Sequence, residues 1–300
     1  MSGLKQLRNR VKSVKSTQKI TKAMHVVSAA KLKKAKDQVE NINDYIDVLR
    51  DIMKDISKSD SLADLNKMDQ KFFSSEIESM PHLIIMITSD RGLCGSFNSS
   101  IIKKVKSDIK NLQNSGRKLR LLIVGNKGVD SFEKNYSSIT EQTYHHGNNS
   151  VYCISSQIKD KMIELVSNEQ IGSADIYYNK FKNAITQIST KDQLFPVSSE
   201  DIDQNDSNDK DTSKMCEVSN YEYEGENTIH DTINLYINGQ INYALLQSKA
   251  SEEAARMTAM DNATKNAEDL VENLTLELNR SRQTMITTEL TEIISGSEAL

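Results

Sequence analysis

The sequence predicts an α/β domain joined to a long two-stranded coiled coil, and three observations predict it. Both ends of the chain carry an apolar seven-residue repeat, the period at which two helices bury one shared seam. The segment between them alternates short apolar runs with amphipathic stretches, the pattern of a small, mostly parallel sheet covered by helices. Charge is also divided between the ends. Residues 1–36 hold eleven Lys or Arg and no acid, whereas from Glu252 onward acids outnumber bases ten to four. A basic helix beside an acidic one gains flanking pairs of about 0.2–1 kcal/mol each, so these pairs are expected to set register more than stability. The chain divides accordingly into an N-terminal coiled-coil helix over 1–58, a globular domain over 59–196, an acidic mobile insertion or linker over 197–228, and a C-terminal coiled-coil helix over 229–300 that pairs with 1–58.

The N-terminal seam runs through Leu4, Leu7, Val11 and Val14, then Leu32, Ala35, Val39, Ile42, Ile46, Leu49, Met53 and Ile56. Between these blocks the same grid lands on Gln18, Thr21, His25 and Ser28, while apolar residues shift to Ile20, Met24 and Val27. The buried face is therefore expected to rotate here, or to change partner. No Pro interrupts the stretch, and about 53 residues of helix span about 80 Å at about 1.5 Å per residue. The C-terminal seam follows Tyr243, Leu246, Ala250, Glu253, Met257, Met260, Thr264, Ala267, Val271, Leu274, Leu278, Ser281 and Met285. Its small and flexible members allow close, adaptable packing. After Met285 the stripe slips to Ile286, Leu290, Ile293 and Ile294, and Gly296 is the expected C-cap.

In the middle, strands are expected at 82–88 and 119–124, helices at about 97–113, 130–135 and 155–168, and a strand at 175–182 followed by an extended stretch to Phe195. Residues 197–227 differ: ten acids stand against two Lys among Ser and Asn, the composition of a solvated loop.

Composition excludes several classes. No apolar run approaches the 18 or so residues needed to cross a bilayer. Cys94, Cys153 and Cys216 are too few and too scattered for a disulfide framework or a zinc site. A basic N-terminus is also the mark of a targeting segment or a nucleic-acid arm. This one is Lys-rich and runs without a break into its heptads, and the net charge of -4 argues against nucleic acid.

Candidate chemistry is sparse. Gly125-Asn126-Lys127-Gly128 follows a strand but lacks the remainder of a phosphate loop, and reads as a surface turn. The sharpest motif is Thr88-Ser89-Asp90-Arg91-Gly92-Leu93-Cys94-Gly95, where a strand hands over to a helix. Cys94 at a helix N-terminus is a candidate nucleophile, but no partnering base is evident. A structural turn through Asp90, Arg91, Gly92, Cys94 and Gly95, with the cysteine buried, is the better reading.

Three separated segments carry a family resemblance: Thr17-Gln18-Lys19-Ile20-Thr21-Lys22-Ala23-Met24, the 89–95 turn, and Ile286-Thr287-Thr288-Glu289-Leu290-Thr291-Glu292-Ile293-Ile294-Ser295-Gly296-Ser297. Together they resemble the gamma subunits of F-type ATP synthases, in order and along nearly the whole chain, the acidic 197–227 stretch being the poorest part. The resemblance implies a non-catalytic rotor without a cofactor of its own. Its terminal helices would form a long antiparallel coiled coil that penetrates the head formed by alpha and beta subunits, and its α/β domain would sit against the epsilon subunit and the membrane c-ring. It would transmit proton flow as torque. Lys22, Met24, Arg282, Gln283, Thr287 and Glu289 match the family's head-contacting positions. The family's closely spaced regulatory cysteine pair is missing. The absent targeting segment favours a bacterial protein, peripheral to the cytoplasmic face of the inner membrane. Two other classes stay open on the residues alone: a free-standing coiled-coil adaptor and a Cys94-dependent hydrolase.

Overall fold

The computed structural model describes residues 2–58, 72–73, 80–147, 150–197 and 228–298. The acidic stretch, apart from Val197, lies outside them. In chain order the elements are α1 (Ser2–Lys58), β1 (His82–Ile87), α2 (Phe97–Asn114), β2 (Leu119–Val124), α3 (Asn126–Tyr136), a 3-10 turn (Ser137–Ile139), β3 (Thr140–Tyr144), α4 (Val151–Ser167), β4 (Ser173–Phe181), β5 (Gln187–Phe195) and α5 (Thr228–Glu298). They form two compact units, one of Met1–Ala30 with Arg256–Leu300, the other Lys31–Ala255. Helices α1 and α5 contribute to both.

The Lys31–Ala255 unit is built on a five-stranded sheet of order β3-β2-β1-β4-β5. The first four strands are mutually parallel, and β5 runs antiparallel to β4. Strand β1 is buried at every position, as its unbroken apolar run requires of a strand covered on both faces. Alternate residues go to two separate cores. Leu83, Ile85 and Ile87 join Ile154, Ile158 and Met162 of α4 and Ile46, Met53, Ile237 and Ile241 of α1 and α5. Ile84 and Met86 join Ile101, Val105 and Ile109 of α2 and Phe132 of α3.

Within this unit α1 and α5 are antiparallel: Ala35 and Val39 cluster with Leu246 and Ala250, and Ile46 lies against Gly239. A Cβ at Gly239 would stand 2.9 Å from Ile46 Cδ1, so glycine sets the closeness of approach. In the other unit Thr264 Oγ1 donates to Thr21 Oγ1 at 2.8 Å, and His25 acts electrostatically on Asp261, again an antiparallel pairing.

The structure corrects four expectations. First, the N-terminal seam does not rotate. Thr21 and Ser28 are buried and Gln18 and His25 half-buried, whereas Ile20 and Val27 are 58% and 54% exposed. The grid holds although its residues turn polar, because the Thr21 hydroxyl finds the Gln18 carbonyl at 3.0 Å as well as Thr264, and a satisfied hydroxyl tolerates burial. Second, the stripe beyond Met285 is not a slipped seam; Ile286, Leu290, Ile293 and Ile294 are all exposed. Carrying the Thr21–Thr264 pairing outward residue for residue sets Leu4 opposite Ser281, so α5 continues past the start of α1. Third, α5 runs through Gly296 to Glu298. Ser295 Oγ donates to the Thr291 carbonyl at 2.8 Å and Ser297 Oγ to that of Ile294 at 2.8 Å, so the hydroxyls on either side of Gly296 fold back on a continuous helix. Fourth, the expected ionic complementarity is not realised as close pairs near the N-terminus. Lys31 reaches Glu253 at 3.9 Å, but Lys5, Arg8, Arg10, Lys12, Lys15, Lys19 and Lys22 have no ion-pair partner among the described residues.

Smaller differences have local causes. Helix α3 begins at Asn126 rather than 130, because Gly125 at φ 94° turns the chain directly into it. Helix α4 begins at Val151, since Ser150 Oγ accepts from Cys153 N and caps it. Strand β3, Thr-Glu-Gln-Thr-Tyr, has no apolar run to announce it and forms at the sheet edge.

Candidate partner-contact surfaces

The Met1–Ala30 and Arg256–Leu300 unit carries all six candidate contact residues. Lys22, Arg282, Gln283, Thr287 and Glu289 are exposed, and Met24 is half-buried between exposed Ile20 and Val27. They form two zones. The first centres on Lys22 and Met24, with Ile20, Val26 and Val27 around them. Across the pairing set by Thr21 and Thr264, the second begins about 19 residues farther along α5, or about 30 Å at about 1.5 Å per residue. The structure therefore does not bring the two groups together; each meets its surroundings separately. Sequence reasoning missed Val26 and left Ile20 and Val27 open between a rotated seam and a change of partner. Their signal was present as apolar residues one step off the grid.

In the second zone the threonine hydroxyls bond back to the helix's own carbonyls, which satisfies the hydroxyls without adding helix stability. Thr284, Thr287, Thr288 and Thr291 donate to the carbonyls of Arg280, Gln283, Thr284 and Thr287 at 2.8–3.0 Å. The threonine hydroxyls are thus taken by their own backbone, and Ile286, Leu290, Ile293 and Ile294 are exposed alongside Arg282, Gln283 and Glu289.

The 89–95 turn lies at the carboxyl end of β1. Asp90 holds three loops together: Oδ1 accepts from Asn126 N at 3.2 Å and Oδ2 from Gly147 N at 3.0 Å. Asn98 Nδ2 donates to Ser89 Oγ at 2.7 Å and to Cys94 Sγ at 3.3 Å. Cys94 is buried with Phe97 and Ala255. His146 of the 145–146 loop is placed 3.1 Å from the Thr88 carbonyl. The arrangement is a braced turn in which the thiol packs and the histidine serves the backbone. Arg91 and Leu93 project from it, Leu93 at φ 64° and 65% exposed.

Gly125 and Gly128 are packing glycines. A Cβ at Gly125 would meet the Thr88 carbonyl oxygen at 2.2 Å, and one at Gly128 would meet Ile123 Cγ2 at 2.7 Å. Gly128 N is bonded to Thr88 Oγ1 at 2.9 Å, so that amide faces no phosphate. In open α/β sheets small ligands bind beyond the carboxyl ends of strands where the order reverses. Here that crevice lies between β1 and β4, and α5 fills it. Ser251 Oγ donates to the Asn179 carbonyl at 2.7 Å, and Asn179 Nδ2 donates to that of Phe97 at 2.9 Å. Among the described residues no cluster of His, Cys, Asp or Glu suits a metal ion.

One unit is a helix pair with outward apolar and cationic surfaces, and in the α/β unit the crevice between β1 and β4 is occupied by the chain's own helix α5. The family model for ATP synthase matches residues 3–300. The ATP synthase gamma chains of Rickettsia bellii and Rickettsia akari are 50% and 51% identical to this chain, each aligned over 100% of both sequences. The chain belongs to the ATP synthase gamma chain family. Its fold is similar to a chain in the central stalk and c-ring structure of the Tetrahymena thermophila mitochondrial ATP synthase, at 28% identity and TM-score 0.58, covering 81% of this chain and 99% of that one. It is also similar to a chain of the Euglena gracilis mitochondrial enzyme at TM-score 0.69 and 20% identity, covering 99% and 94%, a likeness of fold. Membership makes this a non-catalytic subunit of its complex, and neither the adaptor nor the Cys94 hydrolase reading gains support.

Proposed function

We propose that this chain is the central rotor of an F-type ATP synthase, coupling proton flow through a membrane c-ring to the conformational cycle of the catalytic head. The observation that supports it is the division of labour in the Met1–Ala30 and Arg256–Leu300 unit. Seam positions are buried or half-buried even where polar, and apolar residues off the seam such as Ile20, Val26 and Val27 are presented outward. Its partners are then the alpha and beta subunits around this unit, with the epsilon subunit and c-ring against the Lys31–Ala255 unit.

Lys22 and Met24 form one contact zone with the head; Arg282, Gln283, Thr287 and Glu289 form the other. A pushing contact must be remade at every step, which suits charged and hydroxyl groups at a rim, where exposed pairs contribute little net energy, around apolar residues that exclude water. The turn through Asp90, Arg91, Gly92, Cys94 and Gly95 is structural. The domain division is a helical 1–58, an α/β 59–196, an acidic 197–228 and a helical 229–300. No described helix is long and apolar enough to cross a membrane, consistent with a peripheral place on the cytoplasmic face of a bacterial inner membrane.

The test is co-purification with alpha and beta subunits, followed by ATP hydrolysis and ATP-driven proton pumping in membranes with and without the chain. The rotor reading expects pumping to depend on it. Equal assembly and coupling without the chain overturn the reading.

A further inference from the structure

A surface remains that the rotor reading does not use. Strands β4 and β5 form a hairpin whose tip, Lys182-Asn183-Ala184-Ile185-Thr186, extends beyond the sheet. The tip is held in shape. Asn183 Oδ1 accepts from both Ile185 N (3.0 Å) and Thr186 N (2.6 Å), Asn183 N donates to the Thr186 carbonyl at 3.2 Å, and Gln187 Nε2 donates to that of Ala184 at 3.3 Å. This rigid loop places Ile185 in solvent at 82% exposure, the highest of any large apolar side chain described. Ile188, also exposed, stands directly across the ladder from Lys180.

The charge around these two isoleucines has one sign. Between Asp175 and Asp192 the chain holds Lys180, Lys182 and Lys191 and no acid, within a protein of net charge -4. Lys191 is taken by Asp175 at 2.8 Å, while Lys180 and Lys182 are exposed and without an ion-pair partner among the described residues. Lys104 of α2 adds a third cation beside the strand, its Nζ donating to the Ser189 carbonyl at 2.7 Å.

We propose that the β4–β5 hairpin tip is a docking point for an acidic surface on another subunit of the complex, with Ile185 seated in an apolar notch and Lys180 and Lys182 facing carboxylates. The inference rests on the rotor reading for the existence of such a subunit. Charge complementarity selects the occupant. A second copy of this hairpin would set lysine against lysine. An anionic lipid surface is recognised by clusters of about four to eight cations, more than this tip presents. A single locked, β-branched side chain suits a shaped protein pocket, with the cations steering approach and fixing register.

The experiment places a photo-crosslinking amino acid at position 185 in the assembled, membrane-bound complex and identifies the adduct by mass spectrometry. The expected adduct joins Ile185's position to an acid-rich segment of one other subunit, and Lys180→Glu with Lys182→Glu lowers its yield by about tenfold or more while the complex still purifies whole. These side chains are exposed, so unchanged thermal melting of the variants serves as the folding control. An adduct with lipid or with a second copy, no adduct, or a yield insensitive to the charge reversal each overturns the proposal. If the complex assembles and pumps while position 185 stays uncross-linked, only this inference fails. If the chain does not join the head at all, the rotor reading fails with it.

Discussion

At the scale of single residues, the buried carboxylate of Asp175 joins three strands. It is 2% exposed, with Oδ2 at 2.9 Å from His82 Nε2 and 2.8 Å from Lys191 Nζ. His82 Nδ1 in turn meets Ser173 Oγ, to which Arg117 Nη2 donates at 2.7 Å. Arginine can only donate, so Arg117 gives a hydrogen to Ser173 Oγ, and the buried His82 ring lies between Ser173 and Asp175. Burial by itself raises the Asp175 pKa, but His82 and Lys191 outweigh it and hold the carboxyl below its ordinary value. A carboxyl with a depressed folded pKa contributes stability that is full above the unfolded value, about 3.9, and is lost as pH falls through the folded one. Asp175→Asn is therefore expected to cost about 3 kcal/mol at pH 7, shrinking below about pH 4; urea unfolding at the two pH values measures both. Gly125 gives a second residue-scale outcome. Gly125→Ala puts a Cβ 2.2 Å from the Thr88 carbonyl at a positive φ of 94°, and a loss of about 3 kcal/mol is expected from clash and strain together. Thermal melting is the measurement, and an unchanged midpoint would contradict the packing role given to this glycine.

At the scale of elements, α1 shows that the repeat and the apolar residues carry separate information. Seam positions are assigned by period, and the helix keeps them facing its partner through Gln18, Thr21, His25 and Ser28. Ile20, Val26 and Val27 are left outside. Two substitutions separate these roles. Leu274→Ala removes a buried seam residue of α5 and is expected to destabilise the chain by about 2–3 kcal/mol. Ile20→Ser with Val27→Ser alters exposed positions, so stability is expected to hold within about 0.5 kcal/mol while ATP-driven pumping in the reconstituted complex falls. Calorimetry on the free chain and pumping in membranes distinguish them; a large stability loss in the Ile20 and Val27 variant would return those residues to the seam.

At the scale of the whole molecule, the exposed end of α5 is the part least supported by the chain itself. Every described side chain after Met285 is exposed, so ending the chain at Met285 is expected to leave the melting temperature of the free protein unchanged while reducing hydrolysis by the assembled head severalfold. A drop in melting temperature would mean that the segment packs within the free chain. Much of this was legible beforehand. The two long helices, the buried strands β1, β2 and β4, the braced 89–95 turn and the motifs of the family resemblance all rest on local patterns: a seven-residue period, an unbroken apolar run, glycines where a strand meets a helix. Strand β3 escaped because an edge strand half in water needs no apolar run, and α3 began early because a positive-φ glycine leaves no apolar mark.

What the sequence by itself determined is which positions of α1 and α5 lie on the seam grid, since a period is a property of the local chain and survives replacement of Leu by Thr. What only the tertiary structure decided is what lies against the remaining faces. That β5 returns antiparallel, that α5 fills the crevice between β1 and β4, and that Ile20, Val27, Ile185 and Ile286 stay uncovered all depend on segments remote in sequence. An apolar side chain carries no record of whether the surface that buries it belongs to its own chain or to another.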